Sequence, residues 1–290
     1  MKNIIKYYYG LDAENIIEKD GDYKLIINSN NYLLCKCIKD ELLNIINYIP
    51  NNYKFHTIIK TINNDICIVI NNIQYVLLKL NTSYKKIDIK DIEDFNYPIY
   101  QKNDSINRWI SLWSNHIDYI EYQIHELSNK YPTLFKYVYY YIGLTETAIE
   151  LLKTFNNNTC EYIEHKRINS NMTMVDLYNP VNLILDSRVR DIAEYYKSVI
   201  FSTDNDTLNE MLESIKYYSE SETILFFTRM LYPTYFFDAY DQIIGFGKDE
   251  DIIYNIIDKS EKYELILKEL YKAIKKATHI ENIEWLNQLH

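Results

Sequence analysis

Short apolar runs separated by turn residues dominate the first 80 residues of the chain. The runs AENIIEK, YKLIIN and YLLCKCI have the apolar content and spacing of β-strands. The turns between them, Asp20-Gly21 and Asn28 to Asn31, are made of residues that tolerate the positive φ of tight hairpins. Three later runs, KFHTIIKTI, DICIVIN and IQYVLLKL, have the same character. The pattern predicts a small β-rich region over residues 1–80.

One helix is predicted between the two groups of strands. The stretch DELLNIINYI has apolar residues at helical spacing, namely Leu42, Ile45, Ile46 and Ile49. Asp40 is a suitable N-cap because its carboxylate can accept a backbone N–H of the first turn. Pro50 is expected to end the helix.

Beyond residue 104 the spacing of apolar residues becomes helical. The longest amphipathic run, INRWISLWSNHIDYIEYQIHEL, repeats apolar residues every three or four positions. Further helices are predicted at TETAIELLKTF, RDIAEYYKSVIF, DTLNEMLESIKYY, SETILFFTRMLY, DIIYNIID, SEKYELILKELYKAIKKA and ENIEWLNQL. Residues 81–104 are charged, contain Pro98 and are predicted to be a connector. The sequence therefore predicts an α+β protein with a β-rich lobe at 1–80, a connector at 81–104 and a helical lobe at 105–290.

Composition narrows the class of protein. The 290 residues carry a formal net charge of −10, which argues against coating nucleic acid, because that role needs a basic face. A small anionic ligand held by a few local basic side chains remains compatible with this charge. The four cysteines have no CxxC spacing, so neither zinc nor a disulfide framework is indicated. With no signal peptide and no apolar run long enough for a bilayer, a cytoplasmic protein without membrane contact is expected.

The segment from Cys160 to Ser198 has the layout of a kinase-type phosphotransfer site. It contains His165-Lys166-Arg167, a loop, the apolar strand NLILD ending at Asp186, and an amphipathic helix opening at Asp191. Phosphoryl transfer needs a strand lysine for nucleotide phosphates, a carboxylate for Mg²⁺ and a base for the substrate hydroxyl.

Two residues of the β-rich lobe are candidates for the nucleotide. Lys36, in YLLCKC, stands near the end of an apolar strand just before the helix, and Glu41 opens that helix and could pair with it. The alternative is that Lys36 is an ordinary solvent-facing strand residue, which the alternation of the strand predicts equally well.

In the order of these parts the chain resembles the aminoglycoside phosphotransferase and choline kinase-like superfamily, which has a protein-kinase-like fold. The loop of that family is His-Gly-Asp-x-x-x-x-Asn, followed by a strand ending Ile-Asp and a helix beginning Asp-Leu-Ala. Here HKRINSNM, NLILD and RDIAEYY occupy these places. The resemblance implies that His165 is the structural histidine, Asp186 the metal-binding carboxylate and Asp191 the helix-opening aspartate.

Two positions depart from that family. Arg167 stands at the general base, and a guanidinium cannot accept a proton near neutral pH. Met172 stands at the metal-binding asparagine, and a thioether is a poor ligand for Mg²⁺. Asn169 or Asn171 could substitute as a metal ligand, and Asp176 is the least unsuitable replacement for the base.

A narrower resemblance is to the spore-coat-protein branch of the superfamily. That branch has a His-x-Arg loop, an Asp-x-x-x-Arg-Asp segment and a late Arg-x-Leu-[Tyr/Phe]-Pro element. In this chain they are HKRI at 165–168, the segment from Asp186 to Tyr195, and RMLYP at 229–233. The resemblance implies that the arginine is a feature of the branch. It allows an association with the spore coat but does not require one, because kinase-like members of this type also occur with no assigned role.

Each candidate also has a purely structural interpretation. His165 could buttress the loop from a buried position, and Asp186 could cap the turn at Ser187. The arginines at 167, 188 and 190 could form ion pairs with Asp186, Asp191 and Glu194, and an Arg167–Asp186 pair would fill the metal site with an internal cation. Trp109 and Trp113 are expected in the core. The spacing of His116, Asp118 and Glu121 fits a solvated helix face better than a metal site. The run TYFFDAY is aromatic enough to line a pocket, but packing beneath the helical lobe is expected.

Three functions are consistent with the sequence. The first is a pseudokinase that binds a protein partner or a small ligand and has lost catalysis. The second is an active ATP- and Mg²⁺-dependent phosphotransferase on a small hydroxylated substrate, with an acidic site around Asp186 and Lys36 within reach of it. The third is an unrelated α+β binding protein, which would be favoured if residues 13–80 failed to form one antiparallel sheet.

Overall fold

A computed structural model describes residues 1–19, 21–102, 104–155, 159–203 and 207–287. Contacts within the chain divide it into two units. The first comprises Met1–Asp91 and Asn171–Leu185, and the second comprises Ile92–Ser170 and Asp186–His290. The segment 171–185 thus returns to the first unit after the chain has built half of the second. The predicted boundaries at residues 80 and 104 stay a prediction.

The helices and strands follow the chain in this order. The N-terminal part of the chain contains α1 (Lys2–Tyr9), β1 (Asn15–Lys19), β2 (Asp22–Ile27), β3 (Asn30–Lys36), α2 (Lys39–Ile46), β4 (Thr57–Ile59), β5 (Cys67–Ile70), β6 (Ile73–Lys79) and α3 (Ile89–Glu93). Then come β7 (Pro98–Lys102), α4 (Ser105–Leu127), α5 (Pro132–Thr154), β8 (Cys160–His165), α6 (Met174–Leu177), a 3₁₀ turn (Pro180–Asn182) and β9 (Leu183–Asp186). The remainder is helical: α7 (Val189–Ser202), α8 (Leu208–Ser214), α9 (Glu220–Leu231), α10 (Thr234–Phe246), α11 (Tyr254–Ala277) and α12 (Glu284–Asn287), with 3₁₀ turns at Ile215–Tyr217 and Glu250–Ile253.

Six strands of the first unit form one antiparallel sheet. The order is β1-β2-β3-β6-β4, and β5 pairs with β6. The predicted turns have the required geometry, since Asn28 and Ser29 lie between β2 and β3 with φ of 48° and 60°, as a two-residue hairpin demands. Asp20, half of the predicted Asp20-Gly21 turn, lies outside the described residues. The strands expected over residues 13–80 therefore form one sheet.

A helix that the sequence analysis missed packs on this sheet. Ile5 and Tyr9 of α1 lie in a buried cluster with strand residues that include Leu25, Leu34 and Leu77. Ile5 is fully buried. In an eight-residue helix the pair at i and i+4 gives too little periodicity to separate it from a strand.

The helix α2 differs in detail from its prediction. Its N-cap is Ile38, which provides no side-chain hydrogen bond, and Asp40 is the second residue of the helix. It ends at Ile46, before the predicted stop at Pro50. Asp40 therefore acts through its charge in the first turn, where an acidic side chain is favoured.

The second unit is built around α9. From Leu225 to Leu231 every residue of this helix is buried, because α5, α7 and α11 all contact it. Three predictions here were incomplete: α5 begins at Pro132, before the predicted start at 145, α11 joins two predicted helices, and TYFFDAY is the first half of α10. Residues 81–104, predicted as a connector, contain α3 and β7, and β7 pairs antiparallel with β8.

Candidate functional site

The strand β8 ends at His165, and this histidine is bonded to the first turn of α7. The His165 N–H donates to both carboxylate oxygens of Asp191 at 3.1 Å, and the ring Nδ1 also bonds that carboxylate. His165 is 1% exposed, with the Phe95 ring 4.7 Å from its own ring. The pair fixes the end of β8 against α7, which is the geometry of a buried buttress.

A second carboxyl group behind this pair was not expected from the sequence. Glu164 is 3% exposed, and its Oε2 accepts the backbone N–H of Asp191 at 3.1 Å. Burial and the charge of Asp191 raise the pKa of Glu164 well above its ordinary value. The sequence offered no sign of this, because a glutamate in a strand is usually solvated.

The candidate metal ligand Asp186 is buried and already holds protein donors. Its Oδ2 accepts Arg190 Nη1 at 2.9 Å and Trp109 Nε1 at 3.3 Å, and its Oδ1 accepts the Ser187 N–H at 2.7 Å. Asp186 is 4% exposed. Burial alone would lower the pKa of Arg190, but the charge of Asp186 and of other nearby carboxylates raises it. The internal cation expected at Asp186 is therefore present, but it is Arg190 instead of Arg167.

Arg167, at the position of the family's base, pairs with a residue of α10. Its Nη1 lies 2.8 Å from Oδ1 and 3.0 Å from Oδ2 of Asp238. Both side chains are substantially exposed, at 65% and 42%. Burial raises the pKa of Asp238, and Arg167 opposes that rise. Asp238 was not among the candidates of the sequence analysis, because it lies in the aromatic run TYFFDAY.

The helix α7 also carries a buried charge cluster with α9. Glu194 Oε1 accepts Lys197 Nζ at 2.8 Å, Arg229 Nε at 2.7 Å and Thr234 Oγ1 at 3.0 Å. Lys197 Nζ also donates to the carbonyls of Arg229 and Tyr232. Burial alone would raise the pKa of Glu194, but Lys197 and Arg229 lower it to about 2.

The tryptophans of α4 are in the core as predicted, and they also contact Arg229 of the buried charge cluster. Trp109 and Trp113 are each 2% exposed, with ring centroids 5.4 Å apart. The Arg229 guanidinium lies 5.0 Å from the Trp109 ring, 5.5 Å from the Trp113 ring and 5.6 Å from the Tyr232 ring. The late RMLYP element thus places a cation among three aromatic rings.

The face of α4 that was predicted to be solvated is exposed at only two of its three polar positions. Asp118 and Glu121 are exposed, but His116 packs at 4.6 Å against Phe237 and contacts the Tyr232 hydroxyl at 3.3 Å. Burial lowers the pKa of His116. The helical spacing alone did not reveal that α10 covers this position.

A cavity of about 370 Å³ lies in the second unit between the end of β8, α7, α9 and α10. Its lining includes five cationic and two anionic side chains, namely Lys166, Arg167, Arg190, Lys197, Arg229, Glu194 and Asp238. Ile168 and Phe201 supply apolar surface. The cavity therefore brings together the loop residues His165 and Arg167 with residues that the sequence analysis did not connect to them.

The remaining candidates lie in the first unit. Lys36 is the exposed last residue of β3, and its side chain passes so close to Gly21 that a Cβ there would lie 2.2 Å from Nζ. Glu41 is exposed in the first turn of α2. Met172 is 9% exposed, and Asp176 accepts the N–H and hydroxyl of Thr173 in the capping box of α6. Asp176 thus has a structural task.

The fold and the site together are those of the kinase-like class. An antiparallel sheet with helices precedes a helical unit, which contains the buried pairs His165–Asp191 and Arg190–Asp186. Over residues 2–270 the chain matches the family described as "Spore coat putative kinase YutH", and it belongs to that family. The comparison with curated proteins gave no match. The sequence-based assignment to a kinase-like superfamily and its spore-coat branch is confirmed.

Solved structures confirm the fold class. An aminoglycoside phosphotransferase from Alicyclobacillus acidocaldarius subsp. acidocaldarius DSM 446 is similar with a TM-score of 0.57 and 11% identity, over 92% of this chain and 94% of that one. The apo form of a thermostable aminoglycoside phosphotransferase mutant has a TM-score of 0.52 and 7% identity, over 96% and 100%. An AMP-bound spectinomycin phosphotransferase has a TM-score of 0.50 and 14% identity, over 97% and 98%. At these identities the likeness establishes the fold alone.

The described part of the chain contains no helix that is both long enough and apolar enough to cross a membrane.

Proposed function

We propose that this protein is a pseudokinase, a binding or scaffold protein of the spore-coat family that does not transfer phosphate. The observation that carries the proposal is the ion pair between Arg190 and Asp186, at 2.9 Å. The carboxylate that would hold Mg²⁺ in a kinase of this fold is neutralised by the chain's own guanidinium.

The donor set around Asp186 does not suit Mg²⁺. This ion requires several oxygen ligands at about 2.1 Å in octahedral geometry, whereas both Asp186 oxygens already accept protein N–H groups. Arg190 is 15% exposed and Asp186 5% at the side chain. Displacing Arg190 would leave a nearly buried cation without its partner, which is costly. Met172, at the place of the second ligand, offers only a thioether.

The position of the base supports the same conclusion. Arg167 cannot accept a proton at physiological pH, and it is held by Asp238. The persistence of His165 and Asp191 as a buried pair stabilises the fold whether or not chemistry occurs. These residues therefore support a retained framework with a binding role.

Thermal unfolding with nucleotide tests the proposal. We expect ATP with Mg²⁺ and ATP with EDTA to give the same melting temperature, and no phosphate release over that of buffer. The proposal fails if Mg²⁺ and ATP together raise the melting temperature and the protein hydrolyses ATP in a reaction that Asp186→Asn abolishes.

An active phosphotransferase on a small hydroxylated substrate is the second candidate, and Asp238 favours it. This carboxylate lies beside Arg167, at the place of the base, and partial burial raises its pKa although Arg167 opposes the rise. Under this alternative ATP and Mg²⁺ are cofactors, with Lys36 and Glu41 at the nucleotide and Asp186 at the metal. It requires turnover that Asp238→Asn removes and Asp241→Asn preserves.

A further inference from the structure

The cavity of the second unit is positively charged in an acidic protein. Its lining has a surplus of three positive charges, whereas the whole chain carries −10. When Asp186, the partner of Arg190, is included, two positive charges remain in excess. A concave site with one sign of charge concentrates ligands of the opposite sign.

Arg229 supplies hydrogen-bond donors to this cavity. The residue is only 6% exposed and lines the cavity. Its Nε donates to Glu194 at 2.7 Å, while its Nη atoms make no hydrogen bond to any of the described residues. Three aromatic rings hold the guanidinium in place. A guanidinium fixed in this way is preorganised to bind an oxyanion in a bidentate manner.

The buried charges beside Arg229 are also unbalanced. Lys197 is 2% exposed, and together with Arg229 it shares the single carboxylate of Glu194. Burial and, to a lesser extent, the charge of Arg229 lower the pKa of Lys197 to about 8, while Glu194 opposes the fall. An uncompensated buried charge is costly, so an anion in the cavity would relieve the imbalance.

We propose that this cavity binds the phosphate or carboxylate group of a small anionic ligand, which Arg229 contacts directly and Lys197 attracts by its charge. The inference rests on the proposed binding function and names the chemistry of its ligand. A volume of about 370 Å³ lies within the range of small-molecule sites, roughly 300–1,000 Å³. Ile168 and Phe201 can contact the apolar part of such a ligand.

Tryptophan fluorescence gives a direct signal, because two of the three tryptophans contact Arg229. In a Trp285→Phe background, inorganic phosphate and acetate are titrated at constant ionic strength against chloride. We expect a saturable change with a dissociation constant on the order of 1 mM for an anion without a ligand body. Saturation by phosphate alone indicates a phosphate ligand, and saturation by both anions indicates a general oxyanion site.

The test uses variants that should weaken anion binding and one that should strengthen it, so that a folding defect in one variant cannot account for all the results. Arg229→Gln is expected to weaken binding by more than about ten-fold, as a charge-assisted bond is lost. Because Arg229 is buried, two more accessible variants accompany it: Lys166→Gln should weaken binding by about five-fold, and Asp238→Asn should strengthen it by about five-fold. Lys216→Gln, an exposed lysine outside the cavity, is the control and should change nothing.

The outcomes separate the two proposals. A response that does not saturate, or that chloride reproduces, or that ignores both Lys166→Gln and Asp238→Asn, overturns the anion site and leaves the pseudokinase proposal standing. Phosphate binding with the expected variant effects, in a protein that also hydrolyses ATP through Asp186, supports the anion site and overturns the pseudokinase proposal.

Discussion

The Arg190 guanidinium of α7 lies 2.9 Å from the carboxylate of Asp186, the last residue of β9 and four positions earlier in the chain. The spacing i, i+4 allows α7 to place its own cation at the end of β9. Trp109 donates to the same oxygen at 3.3 Å. Arg190 and Trp109 thus both donate to the buried Asp186 carboxylate.

Removal of Arg190 should destabilise the protein. In Arg190→Met the buried Asp186 carboxylate loses its counter-charge, and we expect the free energy of unfolding to fall by about 3 kcal/mol. The double variant Asp186→Asn with Arg190→Met should recover more than half of that loss, because no buried charge is left. Urea denaturation measures both effects.

Arg167→Gln is the matched control for this pair. It also removes one arginine from an ion pair with an aspartate, but both side chains are largely exposed, so the loss should be at most about 1 kcal/mol. Equal losses in Arg190→Met and Arg167→Gln would contradict the assignment of Arg190 as the internal cation.

Glu194 should make stability sensitive to acid. Its folded pKa of about 2 lies below the ordinary 4.5, so the unfolded chain binds the proton first as pH falls. The stabilisation is fully present above about pH 4.5 and is lost as pH falls through about 2, a change of roughly 3 kcal/mol. Glu194→Gln should be less stable than the wild type at pH 7 and should lack this part of the acid loss.

Glu164 should act in the opposite direction. Its folded pKa is raised by burial and by Asp191, with a smaller contribution from Asp186, while Arg190 opposes the rise. The folded state therefore retains a proton that the unfolded chain releases above about pH 4.5, and stability falls as pH rises through that range. Glu164→Gln keeps the acceptor for the Asp191 N–H. Its stability relative to the wild type should increase from pH 4 to pH 7; a constant difference would show that Glu164 is ionised when folded.

The missed helix α1 should contribute to the first unit. Ile5 is fully buried on the sheet, so Ile5→Ala should cost about 2–4 kcal/mol, through lost burial and a cavity. Tyr7, on the same helix, is 73% exposed, and Tyr7→Ala should be close to neutral. If both variants unfold at the same urea concentration as the wild type, α1 is not part of the folded unit.

The sequence predicted the features that depend on neighbouring residues. The sheet of the first unit follows from alternating runs and from turns such as Asn28-Ser29, and α4 follows from its long apolar stripe. Elements whose periodicity is short or obscured were missed. The helix α10 was missed because the apolar residues of TYFFDAY are nearly continuous and show no helical spacing. Phe236, Phe237, Ala239 and Tyr240 are all buried.

The site shows the same division. Motif order placed His165, Asp186 and Asp191 correctly along the chain, and the structure brings the first and last together. Motif order could not say which arginine reaches Asp186, since that depends on the position of α7. Glu194 meets Arg229 across 35 residues of sequence, and Arg167 meets Asp238 across 71. Only tertiary packing brings these residues to one cavity.

Trp109 is the most direct reporter of whether Asp186 binds a metal ion, because its Nε1 lies 3.3 Å from the Asp186 carboxylate. In a ¹H–¹⁵N spectrum, paramagnetic Mn²⁺ with ATP would broaden the Trp109 indole resonance if the metal were bound by Asp186. We expect this resonance to keep its intensity at saturating Mn²⁺ and ATP, like that of Trp285 in α12, which serves as the control. Selective loss of the Trp109 signal that Asp186→Asn restores would contradict the account.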